Sequence, residues 1–390
     1  MALTLSDRTD HITQAEIRVM TIECERVGGV NLAQGVCDLG VPEEVVSGAT
    51  EAIARGYNSY TRYDGLPELR RAIAGKLRRF NGIDADPETE ITVSAGTTGA
   101  LFCACLALLN PGDEVILFEP FYGYHVNTLL AANAVPRCVT MHPPDWHFDP
   151  AELERAVTPR TRAIIVCTPG NPSGKVYSAE ELRQIVDIAA RHDLFLFTDE
   201  IYEYFVYDGR RHVSPVSIDG ARDRTIMISG YSKTFSSTGW RMGYSVSRKK
   251  WADAIGHVND LIYVCAPART APDGRRGGHR AAPRRLLRLA LRAVSCEARR
   301  AVPDARRDRP DADGAAGFLL CARRRVALAW GPKQGEGDVS AGADRRPQRP
   351  GRGFSPVRCG AWPGALLFRE ARCRAGGRLS AAPEIVSAWL

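Results

Sequence analysis

Apolar runs and amphipathic segments alternate along residues 1–266. The runs at residues 114–118, 163–167, 194–198 and 225–229 have the length and composition of buried strands. Helical patterns lie between them, such as residues 179–191, which follow Ser178, a favoured N-cap residue. Buried strands separated by helices predict an α/β fold, with a mainly parallel central sheet and helices on both faces. Ligands of such sheets bind beyond the carboxyl ends of the strands.

Length and composition narrow the class of protein. The chain has 390 residues, of which 44% are hydrophobic and 25% are charged. These values exclude a collagen, a coiled coil and a wholly disordered chain, and they allow two or three domains. The longest apolar run, residues 100–109, is about half of the roughly 20 residues that a transmembrane helix needs. Since residues 1–10 also lack the apolar core of a secretory signal, we expect no membrane partner.

The cysteines indicate the redox environment. The chain has 11 of them, with no Cys-x-x-Cys pair. Scattered thiols are typical of a reduced, cytoplasmic protein rather than of a disulfide framework or a zinc site. The sequence therefore predicts a cytoplasmic location and no metal.

The net charge of +7 conceals two unlike parts. Residues 267–390 hold 25 Arg and 1 Lys against 11 acids, a formal charge of +15, whereas residues 1–266 hold 26 bases against 34 acids, a formal charge of −8. Arg, Ala, Gly and Pro dominate the second part, and no regular period persists there beyond a short helical pattern at residues 284–294. We call residues 267–390 the Arg-rich tail.

Three interpretations of the Arg-rich tail are open. It is a nucleic-acid-binding arm, a divergent domain, or the product of a shifted reading frame. Nucleic-acid-binding arms usually mix Lys with Arg and space aromatic residues for stacking, so nucleic acid is not the favoured partner. A shifted frame is the favoured hypothesis, because a GC-rich gene read out of frame encodes Arg, Ala, Gly and Pro with little Lys.

Polar residues follow the predicted strands. The loop 168–174, with the sequence Thr-Pro-Gly-Asn-Pro-Ser-Gly, forms an irregular turn that presents Asn171. Asp199 and Tyr202 follow the next run, three residues apart. Because carboxyl ends of parallel strands meet at one edge of a sheet, we expect these side chains to lie near one another.

The last strand run and an earlier helix complete this set. Lys233 follows the run 225–229 among small residues, and Arg241 comes eight positions later. Residues 96–99, Gly-Thr-Thr-Gly, open a helical segment whose first backbone N–H groups suit a phosphate.

Residues 12–266 resemble the class I/II aminotransferases, the fold-type I enzymes that use pyridoxal 5′-phosphate (PLP). The resemblance rests on Ser-Lys-Thr-Phe at residues 232–235, on Gly-Trp-Arg-Met-Gly-Tyr at residues 239–244, and on the loops that carry Asn171 and Asp199. It is greatest to the subgroup of kynurenine, aromatic and many bacterial aspartate-type aminotransferases.

The resemblance implies roles for individual residues. Lys233 matches the lysine that binds PLP covalently and moves the proton during the reaction. Asp199 matches the acid that keeps the pyridine nitrogen protonated. Asn171 and Tyr202 match the hydrogen-bond donors to the phenolic oxygen of the ring, and Asn171 also lies on the substrate side. Gly35 matches the segment that closes over the substrate.

Further residues match the rest of the cofactor site. Tyr122 matches the aromatic side chain that stacks on the ring. The residues implied at the phosphate are Gly96, Thr97, Thr98, Ser232 and Arg241. Tyr60 matches a tyrosine that reaches the phosphate of a neighbouring subunit, which implies a homodimer with shared active sites. Many relatives carry Ser where this chain has Gly230, and the adjacent Ser229 offers a hydroxyl instead.

The resemblance also implies a division into domains. Residues 46–266 match the large PLP-binding domain, and residues 1–45 contribute to a smaller terminal α/β domain. The Arg-rich tail replaces the rest of that domain and contains no in-frame match to the Arg-[Phe/Cys]-x-Phe-[Ala/Ser] strand that binds the substrate carboxylate. Synonymous codons allow residues 365–371 to be read one base later as Arg-Cys-Phe-Ser-Ala-Lys, which is similar to that strand.

The implied activity is transamination between an L-amino acid and a 2-oxo acid by a ping-pong route. Neutral or aromatic amino acids are the favoured substrates, and the tail is expected to impair the activity of this chain. Two alternatives stay open: a PLP-dependent lyase on the same fold, and a non-catalytic, Arg-rich nucleic-acid-binding derivative.

Overall fold

The computed structural model describes residues 3–29, 31 and 40–267. Gly35 and, apart from Pro267, the Arg-rich tail lie outside the described residues, and the domain boundaries stay predictions. Among the residues that are described, none of the helices is both long and apolar enough to cross a membrane.

Seven strands and nine α-helices make up most of the described chain. The strands are β1 (Ile91–Ala95), β2 (Glu114–Glu119), β3 (Val135–Thr140), β4 (Thr161–Cys167), β5 (Phe195–Asp199), β6 (Thr225–Gly230) and β7 (Met242–Val246). The α-helices are α1 (Glu16–Arg26), α2 (Glu43–Ala54), α3 (Pro67–Lys76), α4 (Gly96–Leu108), α5 (Gly123–Ala131), α6 (Pro150–Ala156), α7 (Ala179–Arg191), α8 (Tyr231–Thr234) and α9 (Lys249–Tyr263). A π-helical turn, Leu77–Asn81, follows α3, and short 3-10 helices span Asp7–Asp10, Pro215–Ser217 and Thr238–Trp240.

The strands form one sheet in the order β1-β7-β6-β5-β4-β2-β3. Strands β2 to β6 are parallel to one another, whereas β7 runs antiparallel to both β6 and β1. This arrangement confirms the predicted α/β fold with a mainly parallel sheet. Strands β2, β4, β5 and β6 coincide with the four predicted runs to within two residues at either end.

Helices cover both faces of the sheet, as predicted. Along β2, Ile116 packs in a buried cluster with α6 and α7, whereas its neighbours Val115 and Leu117 pack in a second cluster with α4, α5 and α9. Successive side chains of a strand point to opposite faces, so the two clusters lie on opposite sides of the sheet. A third cluster joins α3 to β1 and β7.

The predicted N-cap of α7 is confirmed. The Ser178 hydroxyl accepts a hydrogen bond from the Glu181 backbone N–H at 3.1 Å, and the Glu181 carboxylate accepts one from the Ser178 N–H at 2.8 Å. This reciprocal pair is a capping box, which satisfies two N–H groups that the helix itself leaves unpaired.

A buried glutamate ties the amino ends of three strands together. Glu114 opens β2 and accepts hydrogen bonds from Arg137 of β3 at 2.9 Å, from Arg160 at 2.6 Å and from the Thr158 hydroxyl at 2.7 Å. Burial raises the pKa of Glu114, but the hydrogen bonds and the nearby Arg137 charge outweigh it and lower that pKa to about 2. This ion-pair cluster lies at the opposite end of the strands from their carboxyl ends.

Candidate active site

The carboxyl ends of the strands gather the side chains that the sequence singled out. Asp199 is the last residue of β5, and Lys233 lies in α8 directly after β6. The loop that carries Asn171 follows β4, and Gly96 opens α4 directly after β1. Because β1 runs in the same direction as β6, all four positions lie at one edge of the sheet.

Asp199 is held by a histidine that the sequence analysis missed. The Asp199 Oδ2 atom lies 2.9 Å from Nε2 of the buried His125, and Oδ1 accepts a hydrogen bond from the Ile201 backbone N–H at 3.3 Å. These contacts fix the plane of a carboxylate that is itself buried. The spacing of three positions between Tyr122 and His125 predicts only that their rings lie near one another along α5, and it gives no sign of the contact with Asp199.

Asn171, Tyr202 and Lys233 lie together beside this carboxylate. The Asn171 side-chain amide donates a hydrogen bond to the Tyr202 hydroxyl at 3.5 Å, and Lys233 Nζ lies 5.6 Å from the centre of the Tyr202 ring. Burial raises the pKa of Tyr202, so its phenol is protonated at neutral pH and its O–H can donate to a further acceptor.

Arg241 lies over the first turn of α4. Its guanidinium donates to the Thr238 carbonyl at 2.9 Å and to the Ser232 hydroxyl at 3.4 Å. A Cβ atom added to Gly96 would lie 2.4 Å from Arg241 Nη2, so a side chain at this position would displace the guanidinium. Gly96 also has a φ of +74°, which favours glycine.

The start of α4 fits against β7 through a second glycine. A Cβ atom on Gly243 would lie 2.5 Å from the Gly96 carbonyl carbon and 2.7 Å from the Thr97 nitrogen. Thr97 and Thr98 lie in the first turn of α4, where backbone N–H groups have no partner within the helix. Free N–H groups, a guanidinium and the Ser232 hydroxyl form a donor set that suits a phosphate.

Two stacked tyrosines flank the site. Tyr122 is the N-cap residue of α5, and its ring lies edge-on to His125, with ring centres 5.4 Å apart. The same ring stacks on Tyr124 at 5.1 Å. The Tyr124 hydroxyl accepts a hydrogen bond from Arg18 of α1 at 3.4 Å, so the N-terminal helix contacts this side of the site.

Two implied site residues are not brought into this group. Tyr60 is 83% exposed in the single chain. Gly35 lies outside the described residues.

The Ser229 hydroxyl is engaged elsewhere. It donates a hydrogen bond to Glu203 Oε1 at 3.0 Å, so it does not replace the hydroxyl that relatives carry one position later. A Cβ atom on Gly230 would lie 2.7 Å from the Met242 carbonyl oxygen, so a serine at that later position would require the adjoining part of β7 to shift.

Known proteins resemble this chain over its first two thirds. The profile of the family described as aminotransferase class I and II matches residues 27–272. Aromatic-amino-acid aminotransferase 2 of Thermococcus litoralis is 39% identical over 244 residues, 62% of this chain and 63% of that protein. A probable N-succinyldiaminopimelate aminotransferase of Mycobacterium tuberculosis is 44% identical over 228 residues, 58% of this chain and 57% of that protein. The chain thus spans less than two thirds of the length of these relatives.

Solved structures match the fold. N-succinyldiaminopimelate aminotransferase from Mycobacterium tuberculosis superposes with a TM-score of 0.72 and 35% identity, over 77% of this chain and 79% of that chain. Aspartate aminotransferase from Thermus thermophilus with maleate superposes with a TM-score of 0.70 and 33% identity, over 77% of this chain and 80% of that chain.

Proposed function

The chain belongs to the class I and II aminotransferases, and from this we propose that it is a PLP-dependent aminotransferase that moves an amino group between an L-amino acid and a 2-oxo acid by a ping-pong route. The observation that carries the proposal is the convergence of Lys233, Asp199, Asn171 and Tyr202 at one sheet edge, beside Arg241 and the start of α4.

The donor set fits PLP group by group. Asp199, held by His125, provides a buried carboxylate for the ring nitrogen. Asn171 and the protonated Tyr202 provide N–H and O–H donors for the phenolic oxygen. The guanidinium of Arg241 and the first-turn N–H groups of α4 provide donors for the phosphate, and the substitution-intolerant Gly96 leaves space for them.

The residues of this chain then have separate tasks. When bound, PLP supplies an electron sink for the negative charge that develops at the substrate Cα. Lys233 Nζ would provide the amine that holds the cofactor and, when not bound to it, would carry the proton of the substrate Cα. Asp199 would hold a proton on the ring nitrogen by hydrogen bonding, and Tyr122 would limit the rotation of the ring by stacking. Arg241 and the start of α4 would hold the phosphate and so keep the cofactor in place beside Lys233.

Substrate, assembly and location belong to the same proposal. The half-buried, stacked Tyr122 and Tyr124 favour a neutral or aromatic amino acid as the donor. A homodimer is supported by Tyr60, whose exposed ring is available to a neighbouring subunit. A cytoplasmic location is supported by the six described cysteines, which are thiols rather than disulfides.

Reduction with borohydride and peptide mapping test the proposal. We expect purified protein with added PLP to absorb visible light. After reduction with borohydride, we expect the cofactor to be covalently fixed to Lys233 as a label that peptide mapping can locate. Lys233→Ala should abolish both signals, whereas the control Lys250→Ala, which removes an exposed lysine, should leave them intact. Label on another residue, or no label on a folded sample, contradicts the proposal.

Product analysis distinguishes the type of reaction. Release of a 2-oxo acid with pyridoxamine phosphate identifies transamination, and release of ammonia without pyridoxamine phosphate identifies lyase chemistry.

A further inference from the structure

Behind the proposed site lies a buried carboxylate with no assigned role. Glu203 is 1% exposed. Its Oε1 atom accepts hydrogen bonds from Lys76 Nζ at 2.5 Å and from the Ser229 hydroxyl at 3.0 Å, and its Oε2 atom accepts one from the Asn81 amide at 3.0 Å. Lys76 Nζ also donates to the Tyr244 hydroxyl at 3.3 Å. We call these five residues the Glu203 cluster.

The Glu203 cluster joins three segments that carry proposed site residues. Glu203 directly follows Tyr202. Ser229 lies in β6, four residues before Lys233, and Tyr244 lies in β7, three residues after Arg241. Ser229 and Tyr244 are also direct partners in the β6–β7 register. The buried Glu203 carboxylate therefore connects, through hydrogen bonds, the chain segments that carry Tyr202, Lys233 and Arg241.

The cation of the cluster comes from a separate element. Lys76 ends α3 and Asn81 ends the π-helical turn that follows, and Lys76 Nζ donates to the Asn81 side-chain oxygen at 2.9 Å. A π-helical turn inserts an extra residue into a helix and is frequent at functional sites. Here the turn brings both side chains to the same carboxylate.

A metal ion is not the occupant of this region. Ligand atoms of Glu200, Glu203 and His212 lie within 4.8 Å of one another. However, Glu200 already accepts hydrogen bonds from Thr198, Ser214 and His212, and the ammonium of Lys76 lies against Glu203 and repels a cation. The chemistry of the cluster is that of a fully paired carboxylate.

We propose that Glu203 is a positioning residue, which holds Tyr202 and Lys233 at the mutual position needed to bind PLP. This inference rests on the proposed function. Both oxygens of Glu203 are paired, so loss of its charge leaves the Lys76 ammonium without a counter-ion in a largely buried place. The side chains then rearrange, and the segments on either side move with them. Three tyrosines near Glu203 are kept protonated, because burial raises the pKa of each phenol: Tyr204, Tyr231 and Tyr244.

The test compares two buried glutamates at opposite ends of the sheet. Glu203→Gln changes the cluster, and Glu114→Gln is the matched control, because Glu114 is equally buried and also paired with basic side chains. We measure the dissociation constant for PLP, the pH midpoint of the visible absorbance of the loaded protein, and the melting temperature. We expect Glu203→Gln to raise the dissociation constant roughly tenfold and to move the midpoint by about half a pH unit or more.

The control separates positioning from general stability. We expect Glu114→Gln to lower the melting temperature while the dissociation constant and the midpoint stay at their wild-type values. If Glu203→Gln fails to fold, Lys76→Met and Asn81→Ala test the same cluster with smaller changes. The inference is overturned if all cluster variants keep the wild-type dissociation constant and pH midpoint, or if Glu114→Gln changes both as much as Glu203→Gln does. Either result leaves the proposed function standing. If the wild-type protein binds no PLP, both the proposed function and the inference about Glu203 are wrong.

Discussion

The Nε2 atom of His125 lies 2.9 Å from Oδ2 of Asp199, and both side chains are buried. The histidine therefore restricts the carboxylate to one orientation. We expect His125→Ala to weaken PLP binding by about tenfold or more, because the buried Asp199 carboxylate loses a hydrogen-bond partner and is free to reorient. Titration with PLP measures the effect, and His142→Ala, which removes an exposed histidine, is the control. Unchanged affinity in His125→Ala contradicts the role given to this pair.

Arg241 depends on its planar, forked guanidinium. It contacts Ser232 and lies over Gly96 at the start of α4. Arg241→Lys keeps the charge but loses two-point pairing with a phosphate, so we expect PLP to bind about tenfold to a hundredfold more weakly. The control Arg78→Lys alters a side chain that is 70% exposed and should leave binding unchanged. Equal binding by Arg241→Lys and the wild-type protein would show that charge alone suffices.

Gly243 leaves no room for a side chain. A Cβ atom there would lie 2.5 Å from the Gly96 carbonyl carbon, which belongs to the backbone and cannot rotate away. We expect Gly243→Ala to lower the free energy of unfolding by about 2 kcal/mol or more. Gly123→Ala is the control, because nothing lies within 4 Å of its Cβ position, and it should change that free energy by no more than about 0.5 kcal/mol. Denaturant titration distinguishes the two outcomes.

Glu114 makes the stability depend on pH in the acid range. Its pKa is about 2 in the folded protein against an ordinary value of 4.5, so the ionised form is stabilised by folding. This stabilisation, roughly 3 kcal/mol, is present above pH 4.5 and is lost as the pH falls towards 2. Glu114→Gln should remove this part of the pH dependence, which urea unfolding at several pH values would detect. A parallel acid profile in wild type and variant would exclude Glu114 as its source.

The Arg-rich tail yields a prediction at the level of the gene. The family match ends at residue 272, within a few residues of the change in composition. We expect the gene to carry an insertion or deletion near codon 268, and we expect restoration of the frame to increase transaminase turnover. Sequencing the gene and assaying the restored protein check both points. An intact frame that encodes this same tail would disprove the frameshift hypothesis.

Local sequence patterns predicted the parts of the fold that depend on neighbouring residues. The runs that became β2, β4, β5 and β6 are apolar and bounded by turn residues, and the Ser178 cap is a contact over three positions. The antiparallel strand β7 was not predicted. Its place and direction in the sheet depend on pairing with β1 and β6 and not on its own residues.

The candidate site divides in the same way. Asn171, Asp199 and Lys233 could be singled out because each follows a strand run and lies in a recognisable motif. His125 and Glu203 could not, because their contacts are with residues far away in the sequence: His125 reaches Asp199 across 74 positions, and Glu203 reaches Lys76 across 127. No local period or motif encodes such a contact, so only the folded chain reveals it.

The placement of Glu114 at the amino ends of the strands has a practical consequence for protein engineering. Substitutions of the residues that surround it, on β3 and before β4, are expected to change thermal stability while the loops of the candidate site stay unaltered, because those loops lie at the other end of the sheet. Directed evolution of this scaffold can therefore treat heat resistance and substrate range as separate searches, each confined to its own end of the same strands.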